Sequence, residues 1–169
     1  MSIDSSIFVA LGSNLGDSAR MVRDALAGLR ALSAGPVASS SLWTSTPVDC
    51  PPGSPMFVNA VARLVARDGE TPESLLDALQ AMEAEAGRRP KVVLNEPRPL
   101  ELDLLAWGEH VMATPRLVLP HPRAHQRRFV LQPWSELAPG WVVAGVGRTV
   151  SDLLSGLQSD ETLRRLEAP

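Results

Sequence analysis

The segment GRRPKVVLNEPRPLELDLL, residues 87–105, leads Arg88, Arg89 and Arg98 up to an acidic pair, Glu101 and Asp103, spaced i and i+2. On a strand, both carboxylates point to one face. Hard oxygen donors a few ångströms apart suit Mg²⁺ when water and phosphate oxygens fill its other positions. Arginines beside such a metal neutralise and orient a polyphosphate. The competing reading is an amphipathic edge strand whose acids simply face water. A second basic stretch, RLVLPHPRAHQRR at residues 116–128, adds Arg116, Arg123, Arg127, Arg128, His121 and His125. His121 lies between Pro120 and Pro122, where backbone freedom is small, so it is a candidate donor to phosphate, held rigidly beside arginines.

Two further places bear on chemistry. Gly12-Ser13-Asn14-Leu15-Gly16 follows an apolar run, but it has neither the GxGxxG spacing nor the Lys and Ser/Thr of a Walker loop. It reads as a tight turn, with Asn14 and Asp17 as candidates to cap the following helix. Asn59 stands inside the strand-like run Phe57 to Val65, where an asparagine is disfavoured unless its amide has a partner. Such an amide can read the donor and acceptor edge of a heterocycle.

The elements that must position these residues follow from periodicity. Ile7 to Leu11 predicts a buried strand. Met21 or Val22, then Ala25, Leu26, Leu29 and Leu32, give helical spacing up to Gly35-Pro36, and Val37 to Thr44 reads as extended. In Phe57 to Val65 the residues Val58, Ala60, Ala62 and Leu64 share one face, and Phe57, Asn59, Val61 and Arg63 share the other. Thr71 and Pro72 predict the cap and first turn of a helix with Leu75, Leu76, Leu79, Met82 and Ala86 inward, closed by Gly87. Leu100 to Trp107 is the next strand. The order is βαββαβ, an α+β, ferredoxin-like antiparallel sheet with both helices on one face and the other face free for ligands. A short strand pair within Val111 to Leu119, a helix near Ala124 to Leu131, and a helix from about Ser151 with a Thr149/Asp152 capping box are expected as peripheral additions.

Bulk properties bound the function. The 169 residues, 44% hydrophobic, predict one domain over 1–169, with 140–169 as a peripheral segment. The 16 basic and 19 acidic residues leave a formal charge of -3, which argues against nucleic acid or anionic membrane as a partner and makes any anion site local. The single cysteine, Cys50, can form no internal disulfide and fits a reducing cytoplasm. Neither a signal sequence nor a membrane span is visible. A soluble, cytoplasmic monomer acting on small molecules is expected.

ALGSNLGD, STPV followed by FVNAV, the GR…PR…LDLL segment and PHPRAHQRRFVLQPWSELAP occur in this order and at spacings that resemble the hydroxymethyldihydropterin pyrophosphokinases. The resemblance covers roughly Ile7 to Pro139. It implies transfer of pyrophosphate from ATP to 6-hydroxymethyl-7,8-dihydropterin with two Mg²⁺ ions, in folate biosynthesis. By the same resemblance Glu101 and Asp103 bind the metals, Arg88 and Arg98 contact the transferring phosphates, and Arg116, His121 and Arg127 contact the nucleotide. Phe57 and Phe129 sandwich the pterin, Asn59 reads its edge, and the backbone of Ser45, Thr46 and Val48 completes the pocket.

Some positions depart from that pattern. Glu101 stands where the family usually has aspartate, and one extra methylene shifts a carboxylate by about 1 Å. Asn95 and Glu96 replace a common tryptophan and glycine, and Pro90 a frequent arginine. Glu96 adds negative charge near a polyphosphate unless Arg88, Arg89 or Lys91 pairs with it. These departures leave open an alternative, a divergent member that binds pterin or nucleotide without efficient transfer.

Overall fold

Ser6–Ser13 forms β1, buried at almost every position. The structure, a computed structural model, describes residues 6–46, 51–87 and 99–166. Helix α1, Ser18–Leu29, starts where the Asp17 side chain accepts from the Arg20 N–H, and it buries Val22, Ala25 and Leu29. A 3-10 turn at Arg30–Leu32 ends this helical stretch. The extended segment that follows is broken into β2, Ala38–Ser39, and β3, Trp43–Ser45. Strand β4 is Phe57–Val65. Helix α2, Pro72–Glu85, has the expected Thr71 cap, and Ser74 completes a reciprocal capping box. Strand β5 is Glu101–Trp107, followed by a small hairpin of β6, Met112–Ala113, and β7, Val118–Leu119.

The main sheet runs β5-β1-β4-β3 and then one further strand, with β2 also paired to β4, and its ladders are antiparallel. Its last strand, β8, is Leu163–Arg165, which the sequence reading did not anticipate. On one face Ile7, Val9 and Leu11 of β1, Val58, Ala60, Ala62 and Leu64 of β4, and Leu102 and Leu104 of β5 pack with Val22, Ala25, Leu29, Leu75 and Leu79 of the two helices. The alternation read from Phe57 to Val65 therefore holds residue by residue.

The second face differs from the expectation of a free surface with peripheral additions. Helix α3, Arg128–Leu137, and helix α4, Val150–Gly156, cover one end of it. Phe8, Val61, Leu105 and Ala106 of the sheet are buried there against Val130, Leu131, Trp134, Trp141, Val143, Val150 and Leu153. Phe8 meets Trp134 at 5.4 Å and Trp141 at 4.9 Å between ring centroids. The reason is hydrophobic: alternating strands whose second face is also apolar must bury it as well. Helix α3 begins after a 3-10 turn at Ala124–Gln126 and so lies later in the chain than Ala124 to Leu131. At α4 the Thr149 hydroxyl accepts from the Asp152 N–H, which is one of the two bonds of the expected capping box; the return bond from the Asp152 side chain is not formed. Trp141 and Val143 are core residues, while Val142 is exposed. Among the described residues, no helix is long and apolar enough to cross a membrane.

Candidate active site

The end of the second face that α3 and α4 leave open is polar among the described residues, with Gly12 and Asn59 themselves buried there. Register places Gly12 of β1 between Glu101 of β5 and Asn59 of β4, and Ala10 between Asp103 and Val61. Strands about 4.8 Å apart put the Glu101 and Asn59 backbones roughly 10 Å from each other with only a bare glycine between them. A Cβ on Gly12 would stand 3.5 Å from Asn59 Oδ1 and 3.7 Å from the Phe57 ring. Gly12 is thus no part of the turn, as the sequence reading had it; it lies inside β1 and leaves a side-chain-free floor flanked by an amide and an aromatic ring. The turn itself carries Gly16 at φ 77°.

Glu101 and Asp103 are both half-buried on this face, their Cα atoms about 7 Å apart by strand rise. The strand between them is held from outside: Glu83 Oε2 of α2 accepts from the Leu102 N–H at 2.8 Å. Among the described residues β5 is the edge strand of the sheet, and Glu83 supplies the acceptor for that N–H. Glu83 therefore fixes the backbone on which the acid pair sits. Two half-buried carboxylates on one face of a strand fit Mg²⁺ bound jointly with phosphate and water. Among the described residues no group of three or more His, Cys, Asp or Glu forms a closed metal cage.

His121 joins this neighbourhood. Its N–H donates to the Leu105 carbonyl at 2.8 Å, which docks the 120–122 loop on β5. Burial pushes the imidazole down to about 4; Arg127 and then Arg123 act in the same direction, and Glu101 opposes them. The ring is neutral at pH 7. Its Nδ1 accepts from the Arg123 N–H at 3.2 Å, so the ring proton sits on Nε2, which is left as a donor. Arg127 lies at the entry to α3 with its guanidinium 5.5 Å over the Phe129 ring.

Asn59 is buried, and its Nδ2 donates to Ser45 Oγ at 2.7 Å. The partner that a strand asparagine needs is thus found in the next strand, where Ser45 faces Phe57 in register. Helix α3 braces the same strand: Glu136 accepts from Trp43 Nε1 at 2.6 Å and from Ser41 Oγ at 2.8 Å. Thr46 follows directly. Asn14, expected to cap α1, instead donates its amide to the Pro55 carbonyl at 3.3 Å and ties the two loops beside Gly12 together. Asp17 alone is the cap.

Arg116 is set apart from the others, since its guanidinium is ion-paired with Asp77 on α2. Val48, Cys50, Arg88, Arg89, Pro90, Lys91, Asn95, Glu96 and Arg98 lie outside the described residues.

An α+β antiparallel sheet that carries a carboxylate pair at one end, with a neutral histidine beside Arg123 and Arg127 near it, is an arrangement suited to phosphate chemistry. The sequence model of the 7,8-dihydro-6-hydroxymethylpterin-pyrophosphokinase family matches residues 8–139, and the chain belongs to that family. A 2-amino-4-hydroxy-6-hydroxymethyldihydropteridine pyrophosphokinase of Pseudomonas aeruginosa is 41% identical over 150 residues, 88% of this chain and 90% of that protein. One from Methylorubrum extorquens is 36% identical over 151 residues, 89% and 92% of the two chains. A folate synthesis bifunctional protein of Arabidopsis thaliana is 34% identical over 131 residues, 78% of this chain and 26% of the longer protein.

Proposed function

We propose that this protein transfers pyrophosphate from ATP to the hydroxymethyl group of 6-hydroxymethyl-7,8-dihydropterin in folate biosynthesis, releasing AMP. The observation that carries the reading is the row Glu101–Gly12–Asn59, which sets a metal-type carboxylate and a heterocycle-reading amide on either side of a bare backbone position, in a chain matched by the family over residues 8–139. The strand order β5-β1-β4-β3, with α1 and α2 on one face, supports the ferredoxin-like description. The lone thiol supports a reducing, cytoplasmic location.

The pterin lies over Gly12 between Phe57 and Phe129, with the Asn59 amide at its edge and the backbone of Ser45, Thr46 and Val48 completing recognition. Its hydroxyl oxygen attacks the β-phosphorus of ATP; that O–P bond forms as the bond from the β-phosphorus to the α-phosphate oxygen breaks, AMP leaves, and the hydroxyl proton is released to water. Such a transfer calls for positioning and charge neutralisation more than for a strong base. Glu101 and Asp103 would hold two Mg²⁺ ions, which when bound would neutralise charge on the polyphosphate. His121 donates its Nε2–H to a phosphate oxygen and stays neutral throughout. Arg127 supplies charge beside it, and Arg88 and Arg98 neutralise the transferring group. Arg116 reaches the nucleotide by exchanging Asp77 for phosphate; an exposed ion pair is worth no more than about 1 kcal/mol, so a polyphosphate outcompetes it.

The test is AMP release by purified protein given ATP and Mg²⁺, with and without the pterin. Pterin-dependent AMP is the expected result. Pterin binding without AMP would identify a non-catalytic member instead.

A further inference from the structure

Helix α3 begins at Arg128, one residue before Phe129, yet its N-terminus has no cap of its own: Arg127 makes no side-chain capping bond and the first turn has no acidic residue. The first N–H groups of a helix need outside acceptors, and a negative charge is favoured there. Here the acceptor comes from far along the chain. Glu161 Oε2 accepts from the Arg128 N–H at 2.6 Å, and Arg128 Nη2 donates to the Leu157 carbonyl at 3.1 Å. Ser159 Oγ accepts from the Glu161 N–H at 3.1 Å and holds the carboxylate's backbone in place.

The same segment then runs along β3. Thr46 N–H approaches the Thr162 carbonyl at 3.4 Å, Leu163 pairs with Ser45, and Leu166 N–H donates to the Leu42 carbonyl at 2.8 Å. One stretch of chain thus holds Thr46 on one side of the proposed pterin slot and the start of α3, with Phe129, on the other.

We infer that Glu161 is a positioning residue for the pterin slot, acting as a long-range N-cap that sets the Phe129 ring against the Thr46 strand. The inference rests on the proposed pterin site. Glu161 touches no substrate; without it the first turn of α3 frays and the distance between the two walls is no longer fixed. Misplacement on the order of 1 Å is enough to matter in an aligned site.

The test compares wild type, Glu161→Ala and Glu161→Gln by steady-state AMP release, ATP affinity without pterin, thermal melting, and amide hydrogen exchange at Arg128 and Phe129. The Glu161→Ala protein is expected to show a pterin KM raised by about tenfold, a smaller change in ATP affinity, and faster exchange at both amides. Glu161→Gln, which keeps an acceptor oxygen, is expected to recover most of the loss. Unchanged pterin KM and exchange in Glu161→Ala would overturn the inference. So would equal losses for pterin and ATP with a lowered melting temperature and no rescue by glutamine, since those mark a purely structural role. Failure of the wild type to bind pterin would instead refute the proposed function, while the exchange rates would still report on the cap.

Discussion

The two ends of the sheet's second face are built from the same three strands and have opposite character. At one end Phe8, Val61, Leu105 and Ala106 are sealed beneath α3 and α4. At the other, on the same strands and pointing the same way, stand Gly12, Asn59, Glu101 and Asp103. Moving along β1 from Phe8 to Gly12 exchanges the largest apolar side chain for none. The covered end supplies the burial energy that anchors α3, and α3 in turn places Phe129 and Arg127 at the border of the open end. A well-packed half thereby positions the half proposed as the active site, the arrangement that a preformed site needs.

Substitutions at the two ends should therefore separate activity from stability. Glu101→Ala at the open end is expected to lower kcat by about 10³-fold while the denaturation midpoint moves little, because Glu101 is only half-buried. Equal losses of rate and stability would break the contrast. Trp134→Ala at the covered end is expected to cost about 3–5 kcal/mol in denaturant unfolding, since this indole is fully buried. A cost below about 1 kcal/mol would mean that the second cluster does not anchor the helix.

Gly12→Ala sharpens the comparison at a single methyl group. The added Cβ would meet its neighbours at 3.5 Å or more, an ordinary contact, so stability should stay within about 1 kcal/mol, while the pterin KM rises about tenfold from lost approach to the floor. An unchanged KM would move the pterin away from Gly12. The smallest effect concerns His121. Its ring, lowered to about 4 from an ordinary 6.5, should titrate near pH 4 by NMR. Since the folded state binds this proton less readily than the unfolded chain, the contribution to stability is full above about pH 6.5 and is lost as pH falls towards 4. A ring titrating near 6.5 would place His121 in water and remove it from the site.

Much of this was legible because the relevant signals are local. The faces of β4 follow from strict alternation, and the start of α2 from Thr71 and Pro72. The pairing of Glu101 with Asp103 on one face needs only their i, i+2 spacing. What escaped the sequence depends on partners distant in the chain. Three residues, Leu163 to Arg165, carry no periodic signal, and β8 exists because β3 offers an edge. Glu161 meets Arg128 across 33 residues, and Arg116 meets Asp77 across 39. Gly12 and Asn14 were read through their neighbours as turn and cap; register with β4 and β5 makes the first a floor, and the carbonyl of Pro55 claims the second. The second core went unread because Phe8, Val61 and Trp134 come from separate segments that look peripheral singly.

The most direct measurement is a crystal structure of the protein with the pterin, Mg²⁺ and a non-hydrolysable ATP analogue. The pterin ring is predicted over Gly12 with the Asn59 amide at its edge and the Phe57 and Phe129 rings on its two faces, and with metal density on Glu101 and Asp103 beneath the β-phosphate. A pterin bound elsewhere, or carboxylates without metal while the nucleotide is in place, would contradict the assignment of the open end as the active site.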